Sequence, residues 1–374
     1  MKKIVFITGT RADYGKIKSV IKMLDNSNTF DVYIYVTGMH LLEKYGSTYI
    51  EIQKDGFNNI FLSKRIDNSL SMDEILANNI LQFTKFVKNI KPDMIFVHGD
   101  RVEAMAGAIV GALNNIYVSH IEGGEISGTI DESIRHAISK LANFHFVSNE
   151  SSKKNLIQMG EDANNIFIVG SPDIDIMVKN NYDIDYIKKK YNINFENYAI
   201  MIYHPVISEI DFLKNKIKVL VDSIIESDRN YVVIYPNNDM GSDIILEEYK
   251  RLIGNDKIIM YPSIRFEYFL TLLKYSDFVI GNSSLGIRES GFYGIPTINV
   301  GTRQNGRYDL RTQKNICCVN EKKLEIINAI NEIEKYKYKD KMFGNGDSDK
   351  RILKILECDK LWKRNIQKKF ISIW

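Results

Sequence analysis

Three carboxylates stand where strand-like runs end. Asp100 lies in His98-Gly99-Asp100-Arg101 and Glu122 in His120-Ile121-Glu122-Gly123-Gly124-Glu125. Asp131 follows the small-residue loop Ser127-Gly128-Thr129 and opens Asp131-Glu132-Ser133-Ile134-Arg135-His136. Carboxylates in unlike surroundings split their pKa values, so that one accepts a proton while another donates it. Acid/base work is the chemistry such a cluster suits. A cation is the rival occupant, with His98, Asp100, His120 and Glu122 as ligands, but isolated HxD and HxE pairs lack the spacing of a zinc site. No metal is expected. Each residue also has an ordinary structural use: Asp131 as a helix N-cap, Glu132 as the i,i+4 partner of His136, a strand-end His as a partner of a nearby carbonyl.

A second set has the types that grip a phosphate ester. Gly281-Asn282-Ser283-Ser284 joins a strand-like run to a helix expected to carry Arg288 and Glu289, and Gly301-Thr302-Arg303-Gln304 follows the next run. Small residues let backbone N–H groups and hydroxyls converge on phosphate oxygens at a helix N-terminus. Arg303 would neutralise a diphosphate, and Glu289, about five residues into that helix, would accept from sugar or ribose hydroxyls. His204-Pro205 and Tyr235-Pro236-Asn237-Asn238-Asp239 end two further runs. Near the N-terminus, Thr8-Gly9-Thr10-Arg11 combines a tight turn with an arginine able to bond a phosphate in two places. That turn has neither GxGxxG nor GxxxxGKS spacing, which argues against a dinucleotide or P-loop site. Capping is the ordinary use of such serines, and a surface ion pair that of either arginine.

Such residues need strands to end beside one another. Runs at Lys2–Thr8, Phe30–Thr37, Met94–His98, Ile116–Ile121, Phe144–Val147 and Ile166–Val169 alternate with helical stretches, the mark of a parallel sheet of βαβ units. One helix opens at Ser71 with Glu74 three residues on, a capping box, and stops before Pro92. A second series follows at Tyr198–Tyr203, Tyr231–Tyr235, Lys257–Met260, Phe278–Gly281 and Thr297–Val300, and beyond about Asn320 the pattern is helical. The fold class expected is α/β, with two Rossmann-like doubly wound domains, 1–180 and 181–374, facing a cleft; the last helix is expected to pack back on the first domain. Ligands in such sheets bind at strand C-terminal ends.

Composition removes other classes. The chain has 374 residues, 44% hydrophobic and 26% charged, ordinary for a globular protein. Fifty Lys and Arg oppose 47 Asp and Glu, so the net charge of +3 provides no field for nucleic acid or a lipid surface. An anionic ligand has to be held locally. The longest apolar stretch, Ala104 to Leu113, is far short of the roughly 20 residues a membrane span needs. Without a signal-peptide core after Met1-Lys2-Lys3 the expected location is the cytoplasm, and the three cysteines (Cys317, Cys318, Cys358) suggest no disulfide framework.

Taken with Gly38-Met39-His40, these motifs in order resemble the hydrolysing UDP-N-acetylglucosamine 2-epimerases of bacterial sialic acid biosynthesis, across nearly the whole chain. The resemblance implies a glycosyltransferase-B-like fold, Asp100, Glu122 and Asp131 as acid/base carboxylates, and Arg11, His204, Asn237, Ser283, Ser284, Glu289 and Arg303 as contacts to UDP. Arg101, beside Asp100, joins them as a substrate contact. It also implies no cofactor, a UDP-sugar as ligand, and a homodimer or homotetramer. Glu132 departs from the second Asp of many relatives, which favours Asp131 for catalysis, and Gly15 replaces a serine found in some. The alternatives are a hydrolysing enzyme for UDP-2,4-diacetamido-2,4,6-trideoxyglucose, a non-hydrolysing epimerase, and a nucleotide-sugar-binding protein without turnover.

Overall fold

A computed structural model describes the chain except residues 66–69, 128, 238, 370 and 372–374. Gly128 and Asn238 of the motifs above therefore lie outside the described residues. The chain divides into two units. The first comprises Met1–Glu125, Asp131–Lys179 and Met342–Trp374; the second comprises Ile126–Ile130 and Asn180–Lys341.

The first unit is built on seven strands: β1 (Lys2–Thr8), β2 (Phe30–Val36), β3 (Ile60–Leu62), β4 (Met94–His98), β5 (Tyr117–Ile121), β6 (Phe144–Val147) and β7 (Ile166–Ile168). They lie in the order β3-β2-β1-β4-β5-β6-β7, and every pairing is parallel. Both faces of the sheet are covered, so the central strands carry consecutive apolar residues, as in Ile4 to Ile7 and Met94 to Val97, rather than alternating ones. Ile4 and Phe6 of β1 join one core with Met94 and Phe96, while Val5 and Ile7 join the other with Ile95 and Val97. Phe6, Phe96, Phe146 and Phe167 form a stacked row across four strands, with ring centroids 4.8, 5.6 and 5.6 Å apart. Pairing of β4 with β5 sets His98 opposite Ile121, so Asp100 and Glu122 leave adjacent strand ends.

The helix Met72–Ile90 begins where the capping box predicts, with the Glu74 carboxylate accepting from the Ser71 N–H at 2.8 Å. The apolar stretch Ala104 to Leu113 lies in the helix Val102–Leu113, whose small residues lie against the sheet. No helix among the described residues is long and apolar enough to cross a membrane. The C-terminal part of this unit is a helix, Ser348–Leu356, and a tail. Asp175 caps the helix, its oxygens accepting from the Ser348 and Asp349 N–H groups at 2.9 and 2.8 Å. Burial pushes the Asp175 carboxyl up to about 6. The tail is tied down by Tyr117, whose hydroxyl donates to the Trp362 carbonyl at 3.1 Å, and by Asn143, which donates to the Ile366 carbonyl at 2.7 Å.

The second unit is a six-stranded parallel sheet: β8 (Ala199–Ile202), β9 (Tyr231–Ile234), β10 (Ile258–Tyr261), β11 (Val279–Gly281), β12 (Thr297–Val300) and β13 (Ile316–Val319). The order β10-β9-β8-β11-β12-β13 again reverses direction beside its first strand, the crevice where doubly wound sheets take ligands. The strands that the sequence reading omits, β3 and β13, are both edges. β3 has three residues, and β13 carries Cys317 and Cys318, which read as cysteines rather than as a strand. The helical pattern after Asn320 is also corrected. Helix occupies Lys323–Glu332 and Ser348–Leu356, and residues 338–345, which contain Gly344, are irregular between them.

Candidate functional site

In the first unit the ends of β1, β4 and β5 converge on His98. This ring is buried, with Nδ1 2.9 Å from Asp13 Oδ1 and Nε2 3.0 Å from Glu122 Oε2. The first contact is an aligned hydrogen bond; the second has ion-pair separation but poor alignment of the N–H. Burial opposes charge on the ring, but the two facing acids outweigh it and push His98 up to about 9. Glu122 itself has φ +71°, a left-handed backbone rare for a residue with a Cβ. Such strain is held in place by its surroundings and concentrates at functional sites.

Asp13 lies in the first turn of the helix Arg11–Asp25. Its Oδ2 accepts from Thr8 Oγ1 at 2.7 Å and from the Gly9 N–H at 3.1 Å. Because the Thr8 proton goes to Asp13, the 3.2 Å contact from His40 Nε2 to Thr8 Oγ1 has the ring as donor. His40 Nδ1 then accepts from Thr48 Oγ1 at 2.7 Å. Burial lowers His40 to about 4 and His120 to about 3, so both are neutral. His120 Nε2 donates to the Gly99 carbonyl at 2.8 Å, the structural use open to a strand-end histidine. Among the described residues no group of three or more His, Cys, Asp and Glu is arranged to hold a metal ion.

Asp100 is paired with the fully buried guanidinium of Arg135, which also donates to the Glu125 carbonyl at 3.1 Å. Asp131 lies inside the first turn of the helix Ile130–Leu141 rather than at its cap, half-buried. Glu132 and His136 stand 3.6 Å apart at i,i+4. Arg11 forks onto Glu51, with contacts of 2.7 and 3.1 Å, and Arg101 lies 3.3 Å from Glu103. Glu103 is buried against two glycines: a Cβ on Gly9 would meet its Cδ at 2.8 Å, and one on Gly38 its Oε1 at 2.5 Å.

In the second unit the hub is Asn282. Its side chain bonds the His204 backbone both ways, accepting from the N–H at 2.7 Å and donating to the carbonyl at 2.8 Å. Its own carbonyl accepts from Arg303 Nη1 at 3.3 Å and Gln304 Nε2 at 2.9 Å. The Asn237 N–H donates to His204 Nδ1 at 3.3 Å, which leaves Nε2 as the protonated nitrogen of a neutral ring. His204, Asn237 and Arg303 are thereby gathered at the ends of β8, β9 and β12, next to Ser283 and Ser284 after β11. The helix expected after Ser284 is corrected. A 3-10 turn, Ser284–Gly286, precedes a five-residue helix, Glu289–Tyr293, so the buried Glu289 begins the helix instead of lying a turn inside it. Gly286 packs so closely on β12 that an added Cβ would sit 2.4 Å from Thr297 Cγ2.

The sequence reading gives no chemical role to Asp13, Glu103, Arg135 or Asn282. Asp13 had a legible signal, an acid five residues after a strand-end threonine. Glu103 had a weaker one, the pair Gly9 and Gly38 that it keeps small.

These titrations set the stability profile. His40 and His120 stay neutral in the fold, so below pH about 6.5 the unfolded chain binds protons that the native state refuses, and stability falls as pH drops toward 4. His98 has the opposite sign: its contribution is full below about 6.5 and lost as pH rises through about 9. Each such histidine tilts stability by about 1.4 kcal/mol per pH unit within its window. Urea midpoints should therefore peak near pH 6.5 to 7, and a midpoint flat from pH 7 down to pH 5 contradicts the neutral assignment.

The family model for UDP-N-acetylglucosamine 2-epimerase matches residues 22–357. A UDP-N-acetylglucosamine 2-epimerase of Neisseria meningitidis serogroup B is 41% identical over 380 aligned residues, covering 100% of both chains. A hydrolysing UDP-N,N'-diacetylbacillosamine 2-epimerase of Legionella pneumophila is 35% identical, covering 98% of this chain and 99% of its own. The crystal structure of a Neisseria meningitidis UDP-GlcNAc 2-epimerase bound to UDP-GlcNAc superposes with a TM-score of 0.82 at 20% identity, covering 95% of this chain and 99% of that one. At that identity the likeness speaks to the fold, the two Rossmann-like parallel-sheet domains expected from the sequence. The full-length identity and the family match together place this chain in the UDP-N-acetylglucosamine 2-epimerase family.

Proposed function

We propose that the protein is a hydrolysing epimerase that converts UDP-N-acetylglucosamine and water to N-acetylmannosamine and UDP, the opening step of sialic acid synthesis. The observation that carries this reading is the pair of acids at adjacent strand ends, Asp100 against Arg135 and Glu122 against His98. The hydrogen on C2 of the sugar is not beside a carbonyl, so its removal needs a leaving group on C1. UDP is that group. One carboxylate takes the C2 proton, the C–H electron pair becomes the C1–C2 double bond, and the C1–O pair departs on the diphosphate. Water then adds to C1 of the 2-acetamidoglucal, and a proton returns to C2 on the other face.

Asp100, Glu122 and Asp131 share the proton transfers. Arg11, Arg101, His204, Asn237, Ser283, Ser284, Glu289 and Arg303 hold the nucleotide sugar, and the arginines stabilise charge developing on the leaving diphosphate. The reading assigns the acid/base carboxylates to residues 1–180 and has the nucleotide held mainly by 181–374. It takes the enzyme as a cytoplasmic homodimer or homotetramer that needs no cofactor.

The test is a proton NMR time course with UDP-N-acetylglucosamine in D₂O, without added metal. Free N-acetylmannosamine carrying deuterium at C2, formed together with UDP, is the expected product. UDP-N-acetylmannosamine would instead mark a non-hydrolysing enzyme. The Legionella relative favours one second reading, the same reaction on the 2,4-diacetamido-2,4,6-trideoxy sugar. Turnover of that sugar with none of UDP-N-acetylglucosamine would establish it, and inertness toward both would leave a binding protein.

A further inference from the structure

Each ring nitrogen of His98 faces a carboxylate oxygen, Asp13 Oδ1 at 2.9 Å and Glu122 Oε2 at 3.0 Å. An ionised carboxylate only accepts, so a ring between two of them meets both by carrying two protons. The Asp13 end is fixed as an acceptor. Oδ2 takes the Thr8 hydroxyl and the Gly9 N–H, Thr8 in turn takes the N–H of His40, and His40 takes the hydroxyl of Thr48. The donor direction of this chain thus runs from Thr48 to Asp13 Oδ2.

We propose that Asp13 and His98 are positioning residues for Glu122: Asp13 keeps the His98 ring doubly protonated, and the ring keeps Glu122 ionised and fixed at the end of β5. The proposal rests on Glu122 acting in the reaction above. Neither residue needs to touch substrate. Other titratable groups nearby have partners of their own. His120, from β5, is neutral and bonded to Gly99; His40 acts through Thr8; Arg135, from the helix behind, pairs with Asp100; Arg11 pairs with Glu51. The two facing acids raise His98 to about 9 against the effect of burial. The clamp also accounts for the strained backbone of Glu122, since φ +71° is kept where side-chain contacts over-determine it.

The test is an NMR titration of the histidine ring signals in the isotope-labelled enzyme, with the His98 signal identified by its absence in His98→Gln. In the unaltered protein that signal should stay in the imidazolium form through pH 8. In Asp13→Asn, which removes one of the two charges, its midpoint should fall by about one pH unit or more. The alkaline limb of kcat/KM on UDP-N-acetylglucosamine should fall with it. A His98 that titrates near 6.5 in the unaltered protein overturns the proposal. So does an Asp13→Asn enzyme that is slower but keeps the alkaline limb in place, because loss of packing lowers rate without moving a titration. Should the enzyme not turn over this substrate, the proposed function fails, while the titration still decides the clamp.

Discussion

Glu122→Gln, Asp100→Asn and Asp131→Asn should each lower the rate of N-acetylmannosamine formation by about 10² to 10⁴ if the group moves a proton in the transition state. The changes are nearly isosteric, so most of the fold persists in all three. They are not equivalent. Glu122 and Asp100 each face a buried partner, so Glu122→Gln leaves His98 one acid, Asp13, in place of two, and Asp100→Asn removes the carboxylate paired with Arg135. Asp131, half-buried in a first helical turn, loses a favourable dipole interaction of about 0.3 to 1 kcal/mol. A loss of rate in each variant therefore has to be weighed against a loss of stability. Steady-state rates together with urea unfolding on the same preparations separate the two effects. Near-full activity in all three variants ends the acid/base assignment.

Gly281→Ala should be the most damaging single substitution in the second unit. Gly281 has φ +135°, and a Cβ there would lie 1.9 Å from the Ile202 carbonyl oxygen and 2.7 Å from its carbon. Ile202 is its neighbour across the β8–β11 pairing, so relief means pulling apart the two central strands. A loss of at least about 3 kcal/mol follows, in the range of core overpacking combined with backbone strain. Gly254→Ala is the control, since φ is also positive at +85° but nothing lies within 4 Å. Left-handed backbone alone costs it about 1 to 2 kcal/mol. Because Asn282 follows Gly281 directly and positions His204 and Arg303, Gly281→Ala should also abolish UDP binding by calorimetry, whereas Gly254→Ala should keep it. Equal effects of the two variants would mean that the close approach is not what requires glycine.

The central strands were legible because burial on both faces makes them continuous apolar runs, as in Ile4 to Ile7 and Met94 to Val97. The edges were not: Ile60–Leu62 is too short to show a pattern. At the site, the strand-end motifs name the residues but not their partners. That Arg11 lies in Glu51's grasp depends on a contact forty positions away, and that His98 lies between Asp13 and Glu122 depends on three strands ending together. Tautomers are harder still. His40 and His120 are neutral through burial, whereas His98 is charged by two neighbours, and nothing local to the three histidines distinguishes them.

The first unit is closed by residues made after the second unit. Ile352, Leu356 and Leu361 belong to the same core as Ile4 and Phe6, and the second unit is almost wholly encoded between them. During synthesis at about 5 to 20 residues per second, the β1–β7 sheet emerges and then waits roughly ten seconds or longer with one face incomplete. The second unit has nearly all of its own chain before that wait ends. The unit whose sheet is made first thus completes its core after the other, and a nascent chain stalled before Met342 carries a finished second unit and an open apolar sheet suited to chaperone capture.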